Sequence, residues 1–358
     1  MFRQSLILVA ATLLTSCVSQ SRVTSIDTPD PDTSEAGSFG SIPRRIAFGS
    51  CMVEDAPKPV LDLATATDPD LFIFLGDNIY GDTNDMIVLQ AKYDLLDASP
   101  EFQRLVTSTP ILATWDDHDY GANDAGKEYP QKKESREIFL DFWKVPADSD
   151  RRQHAGIYGA QMFEEEGRRL QVILLDTRYF RDALMRTQQS DVYKHRCIPS
   201  DDETATILGD QQWTWLEAQL NTPADVRIIA SSIQFSHEYN GWESWTTMPL
   251  ERDKLMNLIK DTGAGGVVFI SGDVHWGELS LQENKGSYPL WNITSSGITE
   301  TWDYIASNEN RVGQAVAENN YGYIDIDWAL DDIELTFGLV DKENIIRVER
   351  TVRLSELQ

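Results

Sequence analysis

The sequence predicts an α/β fold in which a largely parallel sheet is covered by helices and followed by an antiparallel meander. Three observations predict it. Six short apolar runs each end in a polar or metal-binding residue. Helical stretches lie between several of them, at Met86 to Leu96, Lys132 to Trp143, Asp210 to Leu220 and Pro249 to Lys260. Such alternation of strand and helix is how parallel strands are joined. From Tyr321 to Leu354 the pattern changes to period two, as in Tyr323-Ile324-Asp325-Ile326-Asp327-Trp328, which suits an antiparallel sheet with one wet face.

The first segment of the chain is not part of that fold. Arg3 carries the only early charge, Leu6 to Leu14 is apolar, and Leu14-Thr15-Ser16-Cys17 follows. The apolar stretch is too short to span a bilayer and has the layout of a secretory signal. Its ending resembles a bacterial lipobox. Residues 1–16 then read as a lipoprotein signal peptide and Cys17 as the lipidated first residue of the mature chain; an ordinary signal peptide cut nearby is the simpler alternative. Val18 stands where an aspartate would mark inner-membrane retention, which favours the outer membrane. Residues 17–42 are rich in Ser, Thr, Asp, Pro and Gly and read as a flexible tether. The folded domain is expected over 43–358, a monomer held to the cell envelope by its lipid. A net charge of −27 argues against nucleic acid or an anionic membrane surface as the main partner. It leaves an anionic substrate open, because bound metal ions can dominate the local field.

Within the domain each run delivers a side chain. Arg45 to Phe48 leads into Gly49-Ser50-Cys51, and Cys51 is either a small buried hydrophobe, a metal thiolate or half of a disulfide with Cys197. Leu71 to Leu75, apolar without alternation and so buried on both faces, breaks at Gly76 into Asp77 and Tyr80. Alone, Asp77 would be a helix cap and Tyr80 a core aromatic. The same Gly-Asp ending recurs at Gly272-Asp273, with His275 two residues on, after Val267 to Ile270. A carboxylate and an imidazole at one strand end form a natural metal pair; a core histidine is the bland reading of His275. Ile111 to Trp115 leads into Asp116-Asp117-His118-Asp119, with Asn123 beyond, the densest set of candidate ligands. Asp117, Asn123 or both could hold a metal, and His118 could protonate a leaving oxygen. Val172 to Leu175 leads into Asp176-Thr177-Arg178; Arg178 could clamp a phosphate oxygen or pair structurally with Asp176. Ile228 to Ala230 ends in Ser231-Ser232. Two metals roughly 3.5–4 Å apart bridged by one carboxylate are what phosphate-ester hydrolysis uses, and Asp77 on its glycine turn suits the bridge.

The series Gly49-Ser50-Cys51, Gly76-Asp77-Asn78-Ile79-Tyr80, Trp115-Asp116-Asp117-His118-Asp119, Asp176 to Asp182 and Ser271-Gly272-Asp273-Val274-His275 resembles the motifs of PhoD-like phosphatases. Leu208 to Leu216 and Trp245 to Arg252 are similar to two further signatures of that family. The resemblance implies a four-layer α-β-β-α metallophosphoesterase sandwich, two mixed sheets flanked by helices. It implies an iron and calcium site, with Cys51, Asp77, Tyr80 and His275 on the iron. Calcium would be held by Asp77, Asp273 and a residue from Asp117 to Asn123. It also implies hydrolysis of phosphomonoesters or phosphodiesters. The chain departs from the family at Asp119, where Glu is usual, and at Gly121-Ala122, where bulkier residues precede Asn123. A binding module that keeps the fold without turnover is the alternative. Specificity is expected from the polar insertion Asp182 to Thr206 and the loops near Trp242 and Trp302.

Overall fold

The computed structural model describes residues 1, 40–187, 196–239 and 241–358. The leader beyond Met1, the lipidation candidate Cys17 and nearly all of the tether lie outside these described residues, as do residues 188–195 of the insertion.

Among the described residues, twelve strands form two six-stranded sheets. The first has the order β12-β11-β10-β1-β2-β3, where β1 is Arg45–Gly49, β2 Leu71–Leu75, β3 Ile111–Thr114, β10 Asn320–Asp327, β11 Glu334–Asp341 and β12 Ile346–Arg353. The second has the order β4-β5-β6-β7-β9-β8, with β4 Gly159–Glu165, β5 Arg168–Leu174, β6 Val226–Ala230, β7 Val267–Ser271, β8 Gly277–Gln282 and β9 Leu290–Ser295. The six apolar runs are β1, β2 and β3 in one sheet and β5, β6 and β7 in the other, parallel to one another within each sheet. The expectation of one largely parallel sheet is therefore corrected. Apolar runs of equal length carry no mark of which sheet they join, and the meander does not stand apart: β10 pairs antiparallel with β1, Ile46 opposite Ile324, which makes the first sheet mixed. The antiparallel β4 and β8 do the same for the second. The one-wet-face pattern expected of the meander holds at β12, whereas β10 is buried on both sides.

Strand periodicity explains the layering. Ile46, Phe48, Leu71, Ile73 and Leu75 point into a core shared with Val172, Leu174, Ile228, Val268 and Ile270 of the second sheet. The alternate residues Ala47, Phe72, Phe74 and Ala113 face the other way, onto buried residues of the helices Pro59–Thr65, Met86–Asp97, Pro100–Ser108 and Lys132–Phe142. Helices Gly209–Asn221 and Pro249–Thr262 bring Trp213, Leu216, Leu255 and Ile259 into the core of the second sheet. The result is helices, sheet, sheet, helices, the sandwich that the family resemblance implies.

Candidate metal and catalytic site

The carboxyl ends of the parallel strands of both sheets meet, and the expected residues stand there. Open sheets place ligands at such ends. Cys51 follows β1, Asp77 and Tyr80 follow β2, Asp117 and His118 follow β3, and Asp273 and His275 follow β7. Two glycines allow the approach. A Cβ on Gly76, whose φ is +102°, would lie 2.5 Å from Asp116, and one on Gly272 would lie 2.2 Å from the Ser50 hydroxyl. Cys51, Asp77, Asp273 and His275 themselves have φ of 61°, 49°, 75° and 63°. Left-handed backbone at non-glycine residues costs roughly 1–3 kcal/mol each and persists only where the surroundings enforce it.

Three donor groups result at these strand ends, and two of them share Asp77. Ligand atoms of Cys51, Asp77 and His275 lie within 4.8 Å of one another, as do those of Asp77, Asp117 and His118 and those of Asp116, Asp117 and Asp273. The Cys51 Sγ is 3.4 Å from Asp77 Oδ2, whereas Asp77 Oδ1 faces the His118 amide at 3.4 Å, so the two oxygens of this carboxylate address different groups. Tyr80 Oη is 3.3 Å from His275 Nε2, which adds the phenol to the thiol side. Ser296, which the sequence reading did not single out, ties that side together. Its Oγ lies 3.0 Å from Cys51 Sγ and accepts the His275 amide at 2.8 Å. Asn123 is exposed at the mouth of the site, and its amide donates to Asp82 at 3.1 Å. Asp117 is the deeper of the two residues considered there.

The donor set suits cations. Burial and the neighbouring Cys51, Asp117, Asp116 and Asp119 raise the Asp77 carboxyl well above the usual range. Burial and Asp116, Asp117 and Glu243 do the same to Asp273. Burial pushes the Cys51 thiol up to about 12 and raises the Tyr80 phenol further still. His275 is pushed down to about 4 by burial and by His118, and its buried Nδ1 has no hydrogen-bond partner among the described residues. Among the described residues these acids face two buried guanidiniums, Arg178 and Arg181, both turned to Glu243. Such crowding is relieved by bound cations, and the residues present fit a two-metal centre.

His118 is set up differently. Its Nδ1 lies 2.9 Å from the Asp82 carboxylate and its ring packs against Tyr80, tilted by 40° with centroids 4.4 Å apart. Burial opposes its charge, but the Asp82 hydrogen bond and Asp117 outweigh burial and raise its pKa to about 8. Asp82 sits in a loop with no periodic signal, so sequence reasoning missed it.

Arg178 requires a correction. Its side chain is fully buried and does not line the cavity; Nε donates to Asp116 Oδ1 and Nη1 to Glu243 Oε2, each at 2.5 Å. No face is left for a substrate phosphate, and the role of clamp is withdrawn. Asp176, the alternative partner, takes the backbone N–H groups of Arg178, Tyr179 and Ile157 at 2.9 Å. Asp119 holds the Asp77 turn: it accepts from the amides of Asp77 at 3.1 Å and Asn78 at 3.3 Å, and from Asn78 Nδ2 at 2.5 Å. Cys51 and Cys197 are both free and buried, so the disulfide alternative falls. The two further signatures are structural, since Gln212 braces Asp176 at 2.9 Å and buried Glu251 accepts from Trp213 at 2.9 Å.

Two mixed sheets packed face to face, with acid, imidazole, thiol and phenol donors where their parallel strands end, define the metallophosphoesterase class of fold. The chain belongs to the PhoD-like phosphatase family, whose sequence model matches residues 58–329, a span that holds every candidate metal and catalytic residue except Cys51. It is 28% identical over 214 residues to alkaline phosphatase D of Bacillus subtilis (strain 168), covering 54% of this chain and 36% of that relative. The matched region therefore spans about a third of the relative's length. The solved structure of PhoD superposes with a TM-score of 0.60 at 19% identity, over 88% of this chain and 72% of the other. GAP50, described as the anchor in the inner membrane complex of Plasmodium, gives 0.53 at 12% identity over 87% and 89%. Both structural likenesses speak to the fold alone.

Proposed function

We propose that the protein hydrolyses phosphate esters, mono- or diesters, at a two-metal centre, as a monomer anchored to the bacterial envelope through Cys17. The observation that carries the reading is the pair of donor groups sharing Asp77. Cys51, Asp77, Tyr80 and His275 would hold iron; Asp77, Asp117 and Asp273, with Asn123 at the mouth, would hold calcium. The thiol and the phenol suit a charge-rich ion, and the all-carboxylate group suits a hard oxygen-seeking one. A metal pair held there would supply polarisation of a phosphoryl oxygen and a water of lowered pKa.

The chain's own groups do the rest. His118, whose charged form is favoured by Asp82 at Nδ1, has Nε2 as its remaining proton donor for the leaving oxygen. Asp119 and Asn78 fix the turn that carries Asp77, so the shared carboxylate is held before substrate arrives. The lipid anchor and periplasmic or outer-membrane location rest on the lipobox alone.

The test is metal content together with hydrolysis of p-nitrophenyl phosphate and bis-p-nitrophenyl phosphate. Stoichiometric iron and calcium with turnover abolished in Asp77→Asn is the expected result. A folded, metal-free protein inactive on both esters after reconstitution sinks the proposal.

A further inference from the structure

The donor groups open into a cavity of about 750 Å³. That is the size of a pocket for a whole small molecule rather than a phosphate group alone. One part of its wall is aromatic. Trp302 is 40% exposed and Tyr304 37%, unusual values for large rings beside a buried polar centre. The Trp302 ring is nevertheless fixed. It packs against His275 with centroids 4.9 Å apart and edge-on to Trp242 at 5.3 Å and 62°, and its amide donates to the His275 carbonyl at 3.1 Å. Trp242 is tied down in turn, because the next residue, Glu243, is buried between Arg178 and Arg181. An indole held on two sides yet exposed on the cavity is a preorganised stacking surface, and it touches a candidate metal ligand.

We infer that this surface selects phosphate esters whose alcohol part carries a planar aromatic ring, stacked on Trp302 while the phosphate sits at the donor groups. The inference rests on the phosphoesterase reading and names the substrate class of the same site. A flat ring gains dispersion and quadrupole contacts from an indole that a puckered ring of equal size does not. The discrimination expected from one such stack is roughly tenfold to a hundredfold.

The test compares benzyl phosphate with cyclohexylmethyl phosphate, and their methyl diesters, on metal-reconstituted full-length protein. The leaving oxygens are both primary alkoxides and the rings are similar in size; planarity is the main difference, and the ratio left in Trp302→Leu reads the smaller one in leaving-group acidity. We expect kcat/KM to favour the benzyl ester by about tenfold or more, the ratio to collapse toward one in Trp302→Leu, and Trp302→Phe to restore most of it. A ratio near one in the unaltered protein, or a ratio unmoved in an active Trp302→Leu, overturns the inference. Binding of benzylphosphonate and cyclohexylmethylphosphonate by calorimetry reads the same preference without turnover. If no ester is hydrolysed, the phosphoesterase reading falls, and the phosphonates decide alone. Equal affinity overturns the aromatic surface, whereas a benzyl preference lost in Trp302→Leu upholds it.

Discussion

Asp77 sits in left-handed backbone, fully buried among Cys51, Asp116, Asp117 and Asp119, and its two oxygens face two different donor groups. In the absence of cations this arrangement is unfavourable twice over, through backbone strain and through carboxylate crowding. Asp77→Asn should therefore raise the melting temperature of the chelated protein while abolishing the rise that metal gives the unaltered chain; differential scanning calorimetry with and without metal reads both. Arg178 tests the opposite case. With Arg178→Met, Asp116 is left buried without its cation and Glu243 keeps only Arg181, a loss of roughly 3–5 kcal/mol. Denaturant unfolding should show that loss. The fraction that folds should keep its KM, whereas a phosphate clamp would lose substrate affinity first. Against burial, the Asp82 hydrogen bond, with Asp117, raises the His118 pKa to about 8. In Asp82→Asn the alkaline fall of kcat/KM should move down toward the ordinary histidine value of about 6.5, because the acid form is then lost at lower pH. A pH profile with an unmoved alkaline limb removes His118 from the role of general acid.

At the scale of elements, the site exists because strands stop abruptly and in register. β1, β2 and β3 lie side by side, and at their common end the Cys51 amide bonds to the Gly76 carbonyl and the Met52 amide to the Asp77 carbonyl. Tyr80 is clamped through its backbone: its amide donates to Glu54 at 3.0 Å, and Lys92 donates to its carbonyl. Gly76 is a tight point of this assembly. Gly76→Ala puts a Cβ into Asp116 at an unfavourable φ, so the variant should lose at least about 1–3 kcal/mol of stability and also bind metal weakly. Calorimetry and metal analysis check the two losses together. Gly263 makes the comparison: it is also left-handed, but nothing lies within 4 Å of a Cβ there, so Gly263→Ala should cost less and leave metal content unchanged.

For the whole molecule, the metal-free protein has a distinctive pH response. Burial and the neighbouring Asp116 hold the Asp119 carboxyl at about 8, and burial together with Asp117 and Glu243 holds Asp116 at about 7 against the pull of Arg178. Both lie above the unfolded value of about 3.9. The stability they contribute is present below that value and is lost as pH rises through 7 and 8. Asp117 acts in the other direction. Burial opposes its ionisation, but Arg178 and His118 outweigh burial and bring it to about 2, so its contribution is lost only in strong acid. Chelated protein should therefore melt progressively lower from pH 5 to pH 9. Saturating metal should flatten or reverse that slope, since cations displace the same protons. Equal slopes with and without metal refute the linkage.

The motif residues were legible in the sequence because each marks a local event. An apolar run breaks at glycine or aspartate, and Gly76-Asp77 finds its echo in Gly272-Asp273; period two announces β10 to β12. These are statements about a few neighbouring residues, and backbone sterics and burial settle them locally. The division of six like runs between two sheets, the addition of β10 to β1, and the seating of Arg178 behind the site rather than in it depend on partners 60 to 280 residues away. Asp82, Ser296 and Glu243 carry no pattern of their own and gain a role only from what folds against them. The sequence by itself determined which chemical groups stand at the strand ends and that they suit metals. Only the tertiary structure decided which of them share a cation's space, because proximity across strands is set by packing of two sheets and not by spacing along the chain.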